Sequence, residues 1–384
     1  LIFQSDSSSR TIEKGKRKAS SFKKKIQLAL LRLVKQSKPI EILTRAGQFV
    51  TQTKQAVIRG TGMYAPERVV LNAEFNKLYG KDVDTFLREK RNIYQRRFMA
   101  DDQATSDLIV PAAEQAMKNA GITAGDIDLI LVSTDTPDYL SPSTAAVVQF
   151  KLGAKNAGAF DVNSACAGFV TALDMASKYV TSDPQYQNIL VVGAYGMTKY
   201  LNYDDMKIAT LFADGAGAVI VQPSVTDTGI MASRLFADGQ YHDYMGVYAG
   251  GTKTPITHDV VENKKHLLDF AKKIPIETNG TQWPRLTNIL LDRIHKKASD
   301  IDHFFLTQIN IQSIHEALDN LGLPHSKSHN VMDRYGYTGS ACIPMALHDA
   351  VSQSKLKKGD LVFMLGSGGG LSMAALAMEW GYDT

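Results

Sequence analysis

Only two of the 384 residues are cysteine, and one of them sits where a nucleophile could work. Cys166 lies in Asp161-Val162-Asn163-Ser164-Ala165-Cys166-Ala167-Gly168-Phe169-Val170. A short apolar run ends there in a turn of small residues, and an amphipathic pattern begins at once. A strand–turn–helix reading places the thiol at a helix N-terminus, where free N–H groups and the macrodipole favour a thiolate. Ala165, Ala167 and Gly168 leave room for a substrate. That chemistry is acyl transfer from a thioester. A lone cysteine is also often a buried packing residue, so the local pattern leaves both readings open. Cys342 is followed by Ile343 and Pro344 and reads as structural. An oxyanion needs backbone donors that approach it closely. Ser367-Gly368-Gly369-Gly370, after a buried apolar run, is the natural source, with Gly369, Gly370 and the Cys166 N–H as the donors.

The elements that would hold these groups follow from hydrophobic periodicity. Strands are expected at 56–62, 128–133, 158–163, 189–193 and 213–221, with helices around 72–80, 105–120, 143–152 and from the Cys166 turn to about 181. The pattern then repeats. Gly125-Asp126-Ile127-Asp128 is echoed by Ser299-Asp300-Ile301-Asp302, and Ile189–Gly193 by Leu361–Gly366. Ser164-Ala165-Cys166 is echoed by Ser340-Ala341-Cys342. Matches in one order at nearly one spacing imply a duplicated α/β unit. Strands alternating with helices imply mainly parallel sheets covered by helices, with ligands at the carboxyl ends of strands. The expected divisions are a basic extension over 1–55, a first half over 56–225 that carries the nucleophile, and a second half over 226–384.

Charge separates the extension from the rest. The chain carries 43 Lys/Arg and 39 Asp/Glu. Residues 1–55 hold 13 of the former and 3 of the latter, a net of +10 that leaves −6 for the remainder. The body therefore has no footprint for nucleic acid. Within the extension, Phe22, Ile26, Leu30, Leu33 and Val34 share one helical face among lysines and arginines. A helix over 21–36 could lie on an acidic membrane surface, dock an acidic partner, or pack on the body with a solvated charged face. Lys outnumbers Arg, which argues against a transit peptide. Two cysteines exclude a disulfide scaffold and fit a reducing, cytoplasmic setting. No apolar run reaches the ~18 residues of a membrane span, and no metal site is expected.

Five motifs in order, Gly60-Thr61-Gly62-Met63-Tyr64-Ala65-Pro66-Glu67, Phe160-Asp161 with Ala165–Phe169, Phe212–Ala218, Asp333-Arg334-Tyr335-Gly336 and Gly368–Gly370, carry a resemblance. From 56 to about 382 the chain resembles the ketoacyl-ACP synthase III enzymes of the thiolase superfamily. The resemblance implies a thiolase-like, duplicated, five-layered αβαβα fold and a homodimer. It also implies an acyl group loaded onto Cys166 from coenzyme A or acyl carrier protein, then condensed with malonyl-carrier protein in fatty acid or polyketide-type synthesis. No tightly bound cofactor is implied.

Two departures stand out. The family places a catalytic His at the head of a His-Gln-Ala-Asn segment, and here that segment is Thr307-Gln308-Ile309-Asn310. The family's catalytic Asn follows the Gly of its Asp-Arg-x-Gly loop, and here that position is Tyr337. Thr307 and Tyr337 are thus the expected partners of Cys166, able to donate a hydrogen bond but not to act as a base near neutral pH. At the coenzyme A end, Phe86 takes the place of a stacking Trp, Met206 or Lys207 that of an Arg, and Gln312 that of a second Arg. Lys90 keeps a basic phosphate contact. Leu140 and Ser141 are expected beside the acyl pocket or that of a dimer mate, residues 240–285 over it, and Asn310 among the substrate-binding residues. The alternative to an enzyme is a partner subunit that keeps the fold without catalysing, or catalyses only half of the reaction.

Overall fold

A computed structural model describes residues 54–384 apart from 227. The helix expected over 21–36 lies outside the described residues. Two sheets form the frame. The first holds β1 (Gln55–Tyr64), β2 (Leu129–Ser133), β3 (Gly158–Val162), β4 (Ile189–Gly196) and β5 (Asp214–Ser224), in the order β1-β5-β4-β2-β3. The second holds β6 (Gly229–Ala237), β7 (His303–Leu306), β8 (Leu361–Gly368) and β9 (Ser372–Glu379), in the order β7-β8-β9-β6.

The duplication is visible in the pairing senses. β1–β5 and β5–β4 are antiparallel, while β4–β2 and β2–β3 are parallel. In the second sheet β6–β9 and β9–β8 are antiparallel and β8–β7 is parallel. A single parallel bridge from Phe304 to Ser328 stands where a fifth strand would be.

Helices fill the remaining layers. α1 (Thr105–Ala120) and α2 (Thr144–Leu152) cover the outer face of the first sheet, and α4 (Thr278–Ile294) with α5 (Ile311–Asn320) the outer face of the second. α3 (Gly168–Ser182) and α6 (Cys342–Ser352) lie between the sheets. This is the αβαβα fold. The central helices are apolar nearly all round because both faces meet a sheet. Phe169, Val170, Leu173, Ala176 and Val180 of α3 are buried, and so are all residues of α6 from Cys342 to Ala350. At ~1.5–3 kcal/mol for each large side chain, this layer dominates the core.

The spacing of the repeat corrects one expectation. Both inner helices are preceded by a three-residue 3₁₀ turn, Ala165–Ala167 in the first half and Gly339–Ala341 in the second. Each turn opens with a residue of positive φ, 45° at Ala165 and 48° at Gly339. Ala165 to Gly339 and Gly168 to Cys342 are both 174 residues. The counterpart of Cys166 is therefore Ser340, and Cys342 corresponds to Gly168. The shared Ser-Ala-Cys triplet misleads because small residues are needed throughout both turns, so a slip of two positions still matches letters.

Candidate active site

Cys166 is held by a backbone that few sequences would choose. Ala165 has the left-handed conformation, which costs a residue with a Cβ about 1–2 kcal/mol; such strain gathers at functional sites. The Asn163 side-chain oxygen accepts from the Ala165 N–H at 3.1 Å and fixes the turn. From the other sheet, β8 presses on the same turn. A Cβ at Gly368 would lie 2.6 Å from the Cys166 nitrogen, and one at Gly366 would lie 2.7 Å from the Ala167 Cα. No side chain fits at either position, so these glycines set the approach of the two halves at the thiol.

Other motif residues brace the site from behind. The Asp161 carboxylate accepts from the N–H groups of Thr144 and Ala145, both at 2.7 Å, and so caps α2. Asp214 accepts from the N–H of Met99 at 2.8 Å and of Thr198 at 2.9 Å. Arg334 makes a bidentate pair with Asp349 at 2.9 and 2.8 Å, and His329 reaches the same carboxylate at 2.7 Å. These donors hold Asp349 well below the usual carboxylate range despite partial burial. The pair anchors the loop that delivers Tyr337.

Tyr337 is buried, and its backbone is locked to the loop before β5. Its N–H donates to Leu211 O at 3.0 Å, and its carbonyl accepts from Ala213 N at 2.9 Å. Its ring packs on Phe212 with centroids 5.3 Å apart, and its hydroxyl faces the Cys166 thiol and favours the ionised form. Burial holds the Tyr337 hydroxyl far above its ordinary pKa, so it remains a donor. Cys166 and Tyr337 are thus brought together. Thr307, just beyond β7, is engaged elsewhere: its Oγ1 accepts from the Ser367 N–H at 2.9 Å. It ties the carboxyl end of β7 to the Ser367–Gly370 turn and lines neither of the two cavities at the site.

The thiol itself departs from expectation. A helix N-terminus was expected to lower its pKa. Burial pushes it well above the ordinary value instead, Asp135 adds to the rise, and the Tyr337 hydroxyl and local N–H only partly oppose it. At neutral pH the resting site holds a thiol.

Two cavities meet at Met245 and flank the Gly368–Gly370 turn. The larger, about 600 Å³, is lined by Tyr337, Ser367, Gly368, Asn310 and Ile309, with Arg91, Lys207, Lys272 and Lys273 also on its walls. Asn310 additionally caps α5, accepting from Gln312 N at 3.1 Å. The smaller, about 240 Å³, holds Cys166 with Gly369, Gly370, Asp135, Asn163 and Tyr195. Residues from the 240–285 region line both.

Three expected binding residues stand apart. Phe86 is 51% exposed, and the Arg91 guanidinium lies over its ring at 5.1 Å. Arg91, rather than Phe86 or the exposed Lys90, is what reaches the larger cavity. Leu140 is 82% exposed and lines neither cavity. Asp135 and Tyr195 were not singled out from the sequence. Asp135 carries a signal that could have found it, a charge just past the carboxyl end of an all-buried strand.

The chain is 37% identical over 326 residues to the β-ketoacyl-[acyl-carrier-protein] synthase III of Clostridioides difficile (strain 630), covering 85% of this chain and 98% of that protein. The chain belongs to the 3-oxoacyl-[acyl-carrier-protein] synthase III family. It is an acyltransferase of that family, with the thiolase-like fold. Models of the family match over 160–239 and, for its C-terminal part, over 291–380. The corresponding synthase of Fusobacterium nucleatum is 34% identical over 325 residues, with 85% of this chain and 98% of that protein covered. Among solved structures, the 3-oxoacyl-[acyl-carrier-protein] synthase III of Aquifex aeolicus VF5 aligns with a TM-score of 0.76 at 29% identity, over 85% of this chain and 100% of the other. The priming β-ketosynthase of the R1128 polyketide pathway gives 0.76 at 27%, over 86% and 98%. Among the described residues, no helix is long and apolar enough to cross a membrane.

Proposed function

We propose that Cys166 forms an acyl-enzyme and passes the acyl group to a second substrate, as in the condensation of fatty acid or polyketide-type synthesis. The observation that carries this is the position of the thiol on a strained turn in the wall of the smaller cavity, facing the Tyr337 hydroxyl. A donor thioester presents its pantetheine arm through the larger cavity, whose lysines and Arg91 suit the phosphates of coenzyme A or the acidic face of an acyl carrier protein. The acyl end enters the smaller cavity. The thiol loses its proton as it attacks, a C–S bond forms to Cys166, and the C–S bond of the donor breaks, releasing a free thiol that carries the proton. The N–H groups of Cys166, Gly369 and Gly370 supply the developing oxyanion. Tyr337, in the place of the family's Asn, donates to the carbonyl of the second substrate. Thr307 holds the turn that bears the oxyanion donors. The exposed β3 edge and Leu140 suit the homodimer of the family, and the 1–55 extension suits an acidic surface or partner.

Intact mass of the protein after incubation with acyl-coenzyme A and acyl-carrier protein tests the first step. An adduct is expected on wild type and none on Cys166→Ala; no adduct from any donor refutes the reading and favours a non-catalytic partner subunit. Release of carbon dioxide on adding malonyl-carrier protein tests the second. The double variant Thr307→His with Tyr337→Asn restores the family's pair, so decarboxylation should rise at least about tenfold, given the ~2.7–4 kcal/mol that one such donor supplies.

A further inference from the structure

The cavity that holds Cys166 is small. Its volume of about 240 Å³ falls below the roughly 300–1,000 Å³ of sites that enclose drug-sized ligands. This leaves room for a short acyl group. Its wall is also unlike that of a hydrocarbon pocket. Asp135, Asn163, Tyr195, His242 and Tyr248 all line it. Asp135 is the member that most needs an explanation. It follows a run of buried residues, Leu129 to Thr134, that leads from β2 to the cavity. Protein surrounds its carboxyl, and the surface it keeps is cavity wall.

Only its own backbone N–H offsets the burial of that acid. Its Oδ1 is buried and has no hydrogen-bond partner among the described residues. No lysine or arginine lines this cavity, in contrast to the larger one. The nearby titratable groups include the Cys166 thiol and the Tyr195 and Tyr200 hydroxyls, and burial together with Asp135 itself makes all three harder to ionise. His242 is exposed, with its Nδ1 3.1 Å from Gly239 O. Burying an unpaired acid is costly, and an orphaned buried group in a native fold calls for a specific reason. A carboxylate can only accept hydrogen bonds. The missing partner is therefore a donor, and the cavity is where it would enter.

We propose that the acyl group received by Cys166 is short and carries a hydrogen-bond donor, a hydroxyl or an ammonium, which Asp135 accepts. This rests on the acyl-enzyme reading above and adds the chemical class of the acyl group. A site built to hydrogen-bond a substrate group strongly rejects the analogue that lacks it, because its own buried polar atom is left unpaired.

The test follows adduct formation on Cys166 by intact mass, using the full chain and acyl groups presented on both coenzyme A and pantetheine. The pairs are 3-hydroxybutyryl against butyryl and β-alanyl against propionyl, with octanoyl as a long apolar group. At least one donor-bearing group should load about 10-fold or more faster than its apolar counterpart, and octanoyl should be slowest. Asp135→Val should collapse that ratio towards one. Asp135→Asn, which keeps the shape without the charge, should retain a preference for a hydroxyl and lose one for an ammonium. Equal or faster loading of butyryl and propionyl by the wild type overturns the proposal, as does a ratio that survives Asp135→Val. A uniform slowing of every thioester in the variants would place Asp135 on the thiol rather than on the acyl group, and also overturns it. Adducts without discrimination refute this proposal alone, whereas adducts from no thioester refute the acyl-enzyme reading beneath it. If Asp135→Val does not fold, the wild-type ratios and Asp135→Asn decide.

Discussion

The turn at Cys166 and the turn at Ser340 are two copies of one device, and their differences separate the proposed nucleophile from its packing counterpart. Each is a 3₁₀ turn entered at positive φ and leading into an inner helix. Each is pressed by glycines of the opposite sheet: Gly366 and Gly368 on the first, and Gly193, whose Cβ would lie 2.2 Å from Ser340 O, on the second. The entering residue is strained Ala165 in the first and Gly339 in the second, where the conformation carries no Cβ penalty. The thiol of Cys166 opens on a cavity. The Ser340 hydroxyl lines neither cavity and shares its one proton between Ala194 O at 2.7 Å and Ser133 O at 3.1 Å, stitching its helix to the first sheet. The close approach of the two halves is thus a property of the fold. What sets the Cys166 turn apart is the open space in front of its side chain.

The largest effect should come from exchanging the cysteines' fates. Cys166→Ala is expected to abolish the acyl adduct. Cys342→Ala should retain it, because burial pushes the Cys342 thiol up to about 12 and it lines neither of the two cavities. Adduct on Cys342 by peptide mapping would contradict the comparison. Next comes Tyr337→Phe. Removing the hydroxyl removes the side-chain contact that lowers the Cys166 pKa, so the thiol titrates at still higher pH. Alkylation by iodoacetamide at fixed pH should fall about 10-fold, the equivalent of ~1.4 kcal/mol, and its pH profile should move upward. An unmoved profile would show that Tyr337 only packs.

A third prediction tests the electrostatic difference between the copies. Asp135 lies two residues past the end of β2, and burial pushes its carboxyl up to about 6. The residue 174 positions on is Ile309, which is apolar. An acid whose folded pKa is raised binds more protons in the folded state, so stability is highest below the unfolded pKa near 3.9 and falls as pH rises towards 6. Asp135→Asn removes that loss. Its gain over wild type should be small at pH 4 and reach at most about 3 kcal/mol at pH 8, seen as a rise in Tm. A gain independent of pH would mean that the carboxyl is not buried as described. Asp349 has the opposite sign: its depressed pKa contributes stability above about pH 4 that is lost as pH falls further.

Much of this was legible in the sequence, for physical reasons that differ by residue. The strands and inner helices announce themselves because residues buried on both faces read as unbroken apolar runs, as in Leu129–Ser133 and Ile189–Gly193. Cys166 was legible as a small-residue turn between two such runs. The site's second tier was not. Whether Tyr337 touches the thiol depends on how the two halves dock, a contact across 171 residues that no local pattern reports. Thr307 occupies a position read from resemblance, yet its hydroxyl serves Ser367 N, which only the geometry reveals. That Arg91 rather than its neighbour Lys90 lines the larger cavity is set by which face of a short helical turn meets it, and adjacent residues on a turn point to different faces. Depth of burial, which pushes the thiol pKa up, is not given by the sequence.

Ser340→Ala probes the packing copy directly and should have the smallest effect on loading of the four. The hydroxyl shares one proton between two carbonyls, and its loss removes that donor from both. A net loss of about 1–2 kcal/mol is expected, at the level of one buried neutral hydrogen bond, read as a lower urea midpoint at unchanged m. Loading of Cys166 should be unaltered, because the serine touches neither cavity. The informative companion is Ser340→Cys, which places a thiol on the same kind of turn as Cys166. If a positive-φ turn and a helix start were enough to make a nucleophile, this thiol would acquire an adduct. The comparison requires that it does not, since it lacks the open cavity. Acylation at position 340 would mean that the turn, rather than the space in front of it, confers the reactivity.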